Sequence, residues 1–242
     1  MVRKTHLLVL ATTLWISILS GFVTVQGASD VENVLPDETR PLVVDRSAGE
    51  VKIFARMQPA AFLGGWLAST PRYHAVVWKD GKAASEALLQ AYVSDIKVYN
   101  ALVSLGAVPG NNLTMAAWNE RNDPNSSAPD QRIQGTPVEM SVWWEGLPRP
   151  VPLKDMLVDP AGRGIDLRFG GNKALIPQWH SGCIVCLYSC PGSKVGNRAY
   201  TIRDYVRGVT SFSINWKVVP RGTRRAIVIL RVHRNGAKKA SD

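Results

Sequence analysis

The sequence predicts an α+β fold, mainly antiparallel β with one clear helix at about residues 95–105. Three observations lead there. Short apolar runs punctuated by Gly, Pro, Asn and Asp recur along the chain, which is the pattern of strands joined by turns. Only one segment combines helical spacing with start and stop signals. Strand and helix patterns do not alternate, which argues against a doubly wound parallel sheet. At 242 residues, with 45% hydrophobic and 20% charged residues, the chain can bury a core in one large domain or two small ones.

The N-terminus is the exception to this globular pattern. Arg3 and Lys4 precede an apolar run from Leu7 to about Val25, followed by the small residues Gly27 and Ala28. Residues 1–27 read as a secretory signal peptide, which places the protein in the periplasm or outside the cell; left uncleaved, the same run would anchor it to a membrane. There is no twin arginine, so the chain is expected to cross unfolded and to acquire any metal afterwards. Residues 28–40 form a polar linker.

Leu42–Val44, a turn at Ser47–Gly49 and the alternating Val51, Ile53 and Ala55 read as strand, turn, strand. "HAVVW" (74–78) is a further strand, closed by the hairpin signal Asp80-Gly81. "EALLQAYV" (86–93) reads as a strand because the segment after it is the helix. That helix has Ser94 as N-cap, Asp95 in its first turn, and Ile96, Tyr99, Leu102 and Val103 on one face. Gly106 stops it, and Pro109-Gly110 prevents its continuation. "LTMAAW" (113–118) reads as a short strand, and residues 119–135 as a long polar loop. "VEMSVWW" and "RPVPL" form a hairpin around Gly146–Pro148, with one of Trp143 and Trp144 in the core. "DLRFGG" (166–171) is a strand ending in glycines. "FSINWKVV" (212–219) and "RAIVILRV" (225–232) are strands joined at Pro220–Gly222.

All three cysteines lie in "QWHSGCIVCLYSCPGS" (178–193). His180, Cys183, Cys186 and Cys190 are spaced H-x2-C-x2-C-x3-C with Pro191 after them, a ferredoxin-type run with histidine in the first position. The first expectation is therefore an iron–sulfur cluster, and an electron-transfer role, on these four residues. A Cys3His set also suits zinc. Soft sulfur suits Cu(I), and the C-x2-C spacing suits thiol redox chemistry. A disulfide between two cysteines, leaving the third free, would make the segment a structural loop in a non-catalytic binding domain. His74 and His233 lie on strands and read as structural. Asp155, Asp159 and Asp166 lack EF-hand spacing and read as turn residues. No nucleophile-elbow motif occurs, so a non-enzymatic role is expected.

The formal charge of +10 concentrates in the last fifty residues, from Lys194 to Lys239. Export excludes nucleic acid as the partner of this basic surface and leaves an acidic partner, with a redox protein as the natural counterpart of an electron-transfer site.

"VDRSAGEVKI", "SEALLQAYVSDIKVYNALVSLGAVPG", "VEMSVWWEG…RPVPLKDML" and "DLRFGG" together resemble the YdjY-type domain of exported bacterial proteins. The resemblance implies one domain over residues 41–234 and a basic tail at 235–242. Members with a cysteine run are described as 4Fe–4S ferredoxin-like, which implies the same role for His180, Cys183, Cys186 and Cys190. The family pattern also carries a histidine beside the glutamate of "EALL"; here Ser85 precedes Glu86, and His74 lies earlier in the chain.

Overall fold

The computed structural model describes residues 35–63, 73–127 and 130–233. The segments read above as a signal peptide (1–27) and a basic tail (235–242), and most of the expected linker, lie outside them. Among the described residues, no helix is long and apolar enough to cross a membrane.

The chain begins with β1 (Leu42–Asp45) and β2 (Glu50–Met57), then a one-turn helix α1 (Pro59–Phe62). Next come β3 (His74–Trp78), a 3₁₀ turn at Ala84–Glu86, β4 (Leu89–Ala91), α2 (Asp95–Ser104) and α3 (Met115–Asn119). The middle holds β5 (Val138–Trp143), β6 (Val151–Pro152), α4 (Leu153–Met156), β7 (Leu157–Val158) and β8 (Leu167–Phe169). The last part holds α5 (Ile176–Trp179), β9 (Cys183–Cys186), β10 (Val195–Asn197), α6 (Ile202–Val206), β11 (Ser213–Ile214) and β12 (Arg224–Val232).

Ten strands form one large curled sheet in the order β6-β5-β12-β2-β4-β3-β9-β10-β8, with β1 added on β2; β7 and β11 pair separately. β2 is the centre. One of its edges pairs with β12 along Glu50–Met57, and the other carries β1 on its first half and β4 on its second. Its alternate residues Val51, Ile53, Ala55 and Met57 are fully buried, and Phe54 on the opposite face is nearly so. The opposite face carries Lys52, Phe54 and the exposed Arg56, so the strand reads as an alternation.

This architecture corrects the expectation of a mainly antiparallel α+β fold with one clear helix. The protein is mostly β, and its sheet is mixed. β3 runs parallel to β4, and β9 runs parallel to β10. The Asp80-Gly81 turn therefore does not close a hairpin. It opens a crossover through the 3₁₀ turn that returns the chain to the same end of the sheet. Period-2 alternation reports which face a residue occupies but not the direction of the neighbouring strand.

Helix α2 forms as expected and ends in a Schellman stop. Gly106 is left-handed at φ +88°, its N–H donates to the carbonyl of Val103, and Ala107 N–H donates to that of Leu102. Its inner face is rotated from the expected one: Val98, Ala101 and Leu102 are buried, whereas Val103 is exposed. The segment 113–118 is not a strand. The Thr114 hydroxyl accepts from Ala117 N–H and caps α3, whose Met-Ala-Ala start favours helix. "FSINWKVV" keeps only Ser213–Ile214 as strand, because the Asn215 carbonyl then collects the N–H groups of Val218 and Val219 in a turn. α1, α4, α5 and α6 are short helices that the strand reading did not anticipate. The hairpins β1–β2 and β5–β6 lie where expected, with Trp144 in the core.

Candidate functional site

β9 lies inside the sheet, antiparallel to β3 on one side and parallel to β10 on the other. The β3–β9 ladder is irregular. His74 pairs with Cys186 and Val77 with Cys183, but Val76 pairs with Val185, so the register shifts twice within a few residues. A bulge of this kind re-aims side chains. Here the His74 imidazole meets Cys183 rather than its ladder partner, with Nδ1 3.4 Å from Sγ. After β9 the chain turns through Cys190, whose carbonyl accepts from both the backbone N–H and the hydroxyl of Ser193, and re-enters the sheet as β10.

The three cysteines are buried free thiols. Cys183 and Cys186 bound β9, and Cys190 follows in the turn after it. His74 thus meets Cys183, and the other two sulfurs lie on the same short segment. His180 stands elsewhere. It is the exposed, left-handed residue at the end of α5, and its backbone carbonyl is used by Lys82 N–H. This arrangement does not suit a cluster held jointly by His180, Cys183, Cys186 and Cys190. Among the described residues, no three His, Cys, Asp or Glu side chains are grouped so as to hold a metal ion. His233 is also remote in role, with Nε2 3.0 Å from the Glu139 carboxylate.

A cavity of about 210 Å³ opens onto this segment. His74, Cys183 and Cys190 line it together with Glu86, Trp118 and Trp179. Trp118 and Trp179 meet edge to face with centroids 4.6 Å apart, and the Trp179 ring lies where a side chain on Gly192 would have to be. Grooves of about 610 and 760 Å³ beside β6 are larger but contain no cysteine or histidine, so size alone does not mark the chemistry.

The site is close to neutral. Burial pulls the His74 imidazole down to about 4 while Glu86 pulls it the other way, so the ring is uncharged at neutral pH. Burial, and then the contact with Cys183, push the Cys186 thiol well up. The hydrogen bond to Cys186, followed by burial, does the same for Cys190. These thiols are protonated at rest, and a metal ion would have to displace their protons. Beneath them Lys194 is almost completely buried. Its ammonium donates to the Gly192 carbonyl at 3.1 Å and lies 3.6 Å from the Asp95 carboxylate at the start of α2.

Two glycines hold the loops around the cavity together. The backbones at Gly81 and Gly182 touch, so a Cβ on Gly182 would lie 2.7 Å from the Gly81 Cα, and Gly182 has φ +70°. Trp78 N–H donates to the Gly182 carbonyl and Ala83 N–H to that of Ser181, which straps the segment before β9 onto β3 and its turn. Gly182→Ala is expected to lower stability by about 2–4 kcal/mol, from left-handed strain plus a backbone clash that no rotamer change can relieve. Thermal denaturation of the purified variant checks this.

Sequence reasoning placed His180 with the three thiols; the structure brings the His74 ring to Cys183 and leaves His180 exposed. His74 was visible as a strand residue, but only the bulged β3–β9 register brings it to Cys183. Glu86 was visible as the glutamate of "EALL", whereas nothing in the sequence pointed to Trp118, Trp179 or Lys194 as parts of the site.

Fold and site together define a mixed-sheet protein with a buried thiol–imidazole pair at the floor of an aromatic-walled pocket. The YdjY domain family model matches residues 42–231, and the chain belongs to that family. It is 30% identical over 206 residues to "Uncharacterized protein YdjY" of Escherichia coli (strain K12), covering 85% of this chain and 84% of that protein. No solved structure matches.

Proposed function

We propose that the protein is an exported, non-enzymatic binder of a soft metal ion, with Cys183, Cys186 and Cys190 as its working group. The observation that carries this reading is three free, buried thiols on one short segment, two of which, Cys183 and Cys190, line a cavity with His74. Thiols at such density select thiophilic ions, and copper, zinc and iron are the candidates. Export rests on Arg3-Lys4 and the apolar run that follows.

The test is metal uptake by the reduced protein without oxygen. Purified and stripped of metal, it is expected to take up one equivalent of a thiophilic ion. Cys183→Ser is expected to lose most of that uptake while keeping a wild-type circular dichroism spectrum. A wild-type protein that takes up no Cu(I), Zn(II) or iron under these conditions defeats the reading.

A further inference from the structure

We propose that Cys183 is a nucleophilic thiol with the His74 imidazole as its base, and that the pair carries out stoichiometric sulfur exchange with a small organic disulfide admitted to the cavity. This activity needs no metal ion and does not rest on the soft-metal reading above; it belongs to the metal-free protein.

Geometry is the first argument. A thiol becomes a working nucleophile when a base lies within reach of its proton. His74 Nδ1 is 3.4 Å from Cys183 Sγ, within hydrogen-bonding reach of a sulfur, and both residues line the cavity. In the tautomer protonated at Nε2, the thiol donates to Nδ1, and the ring is placed to take that proton. Tyr73, whose ring centroid is 4.2 Å from that of His74, packs against the imidazole and holds it in place. Glu86 lines the same cavity and supplies negative charge that offsets the imidazolium formed as the proton moves.

Access and shape are the second argument. Cys183 is 1% exposed, so a protein surface does not reach it, whereas a molecule inside the cavity does. A dry cavity of about 150 Å³ holds benzene. The cavity here, about 210 Å³, therefore admits a small organic molecule. Tyr73, Trp118 and Trp179 wall it, and divalent sulfur packs favourably against aromatic rings.

The second thiol in the cavity is the third argument, and it separates sulfur exchange from acyl transfer. Cys190 lines the cavity together with Cys183. An acyl-transfer site needs N–H donors for an oxyanion rather than another thiol. The N–H of Cys183 donates to the Ser181 hydroxyl, and that of Cys190 to the Tyr188 carbonyl. In the first step the Cys183 S–H bond breaks and its proton passes to His74. A bond from Cys183 to one sulfur of the disulfide forms as the S–S bond breaks. The departing thiolate takes the proton from His74 and leaves as a thiol. In the second step the Cys190 sulfur attacks Cys183 in the mixed disulfide. The other half leaves as a second thiol, carrying the Cys190 proton. Two protein thiols are oxidised, one disulfide is reduced, and no other oxidant is required.

The experiment is stopped-flow reaction of the reduced, metal-free mature protein with dipyridyl disulfide, read by the absorbance of the released pyridinethione. One thiol of the native protein is expected to react faster than the thiols of the same chain unfolded in urea. Peptide mapping of the first adduct is expected to place it on Cys183. With one equivalent of reagent, wild type is expected to release both halves of the disulfide. Cys190→Ser is expected to release one half and to retain the other on Cys183. His74→Gln is expected to slow the first step by about a hundredfold or more. His180→Ala is expected to react as wild type does. Should His74→Gln fail to fold, the wild-type rate and the position of the adduct decide the question. A native rate no faster than that of the unfolded chain, or a first adduct on Cys186 or Cys190, overturns the proposal. So does a folded His74→Gln that reacts as wild type does, or release of both halves by Cys190→Ser. Metal uptake is measured separately, so failure of sulfur exchange leaves the soft-metal reading standing, and the reverse also holds.

Discussion

Asp95→Ala is expected to lower stability by about 3–5 kcal/mol, because it leaves a buried ammonium without its counter-charge. The Asp95 and Lys194 side chains are 8% and 1% exposed, and their charged atoms are 3.6 Å apart. Burial pulls the Lys194 ammonium below its ordinary value, while the Asp95 carboxylate holds it up. Asp95 also accepts from the N–H of Ile96, so its loss leaves that first-turn N–H of α2 without this acceptor. The pair ties the helix to the turn that carries Cys190, and its strength is therefore a property of the site as well as of the fold. Urea denaturation of Asp95→Ala, Lys194→Met and the double variant Asp95→Leu/Lys194→Met checks this. The double variant is expected to recover most of the loss, since two apolar groups need no compensation. A single variant costing under about 1 kcal/mol would mean that the ammonium is solvated in the native state.

Tyr188→Ala is expected to cost a similar amount, about 3–5 kcal/mol, through a large cavity in the core. Tyr188 is 1% exposed and sits among Tyr200, Tyr205 and Phe212, all at ring separations under 6 Å and steeply inclined. Its hydroxyl donates to the Thr210 carbonyl at 2.9 Å. Tyr188→Phe keeps the rings and loses only that bond, so it is expected to cost about 1 kcal/mol. The contrast between the two variants in chemical denaturation separates aromatic packing from the polar anchor. Equal losses would show that the hydrogen bond rather than the ring holds the loop. Because Tyr188 lies two residues after Cys186, its packing also fixes where the chain leaves β9.

Local features were legible where local physics decides them. The β1–β2 turn has Gly49 at φ +67°, where a glycine is the natural residue. Gly106 ends α2 for the same reason. The β5–β6 hairpin and the long strand β12 follow from alternation and turn residues. Residues 113–118 misled because a short apolar run does not separate strand from helix, and the Thr114 cap was the signal that could have settled it. The parallel pairs β3–β4 and β9–β10 had no local signal, since strand direction depends on how distant segments cross.

The site divides along the same line. The sequence by itself determined that three thiols lie on one short segment, so that wherever it folded, soft donors would be concentrated there. It also determined the glycines that let the flanking loops approach. Only the tertiary structure decided which imidazole joins the thiols. His180 is close to Cys183 along the chain, but the left-handed end of α5 leaves it in solvent. His74 is 109 positions from Cys183, and the β3–β9 pairing brings it within reach. Sequence spacing measures proximity along the backbone, whereas a buried site is assembled by sheet register, and a single bulge in that register selects the neighbour.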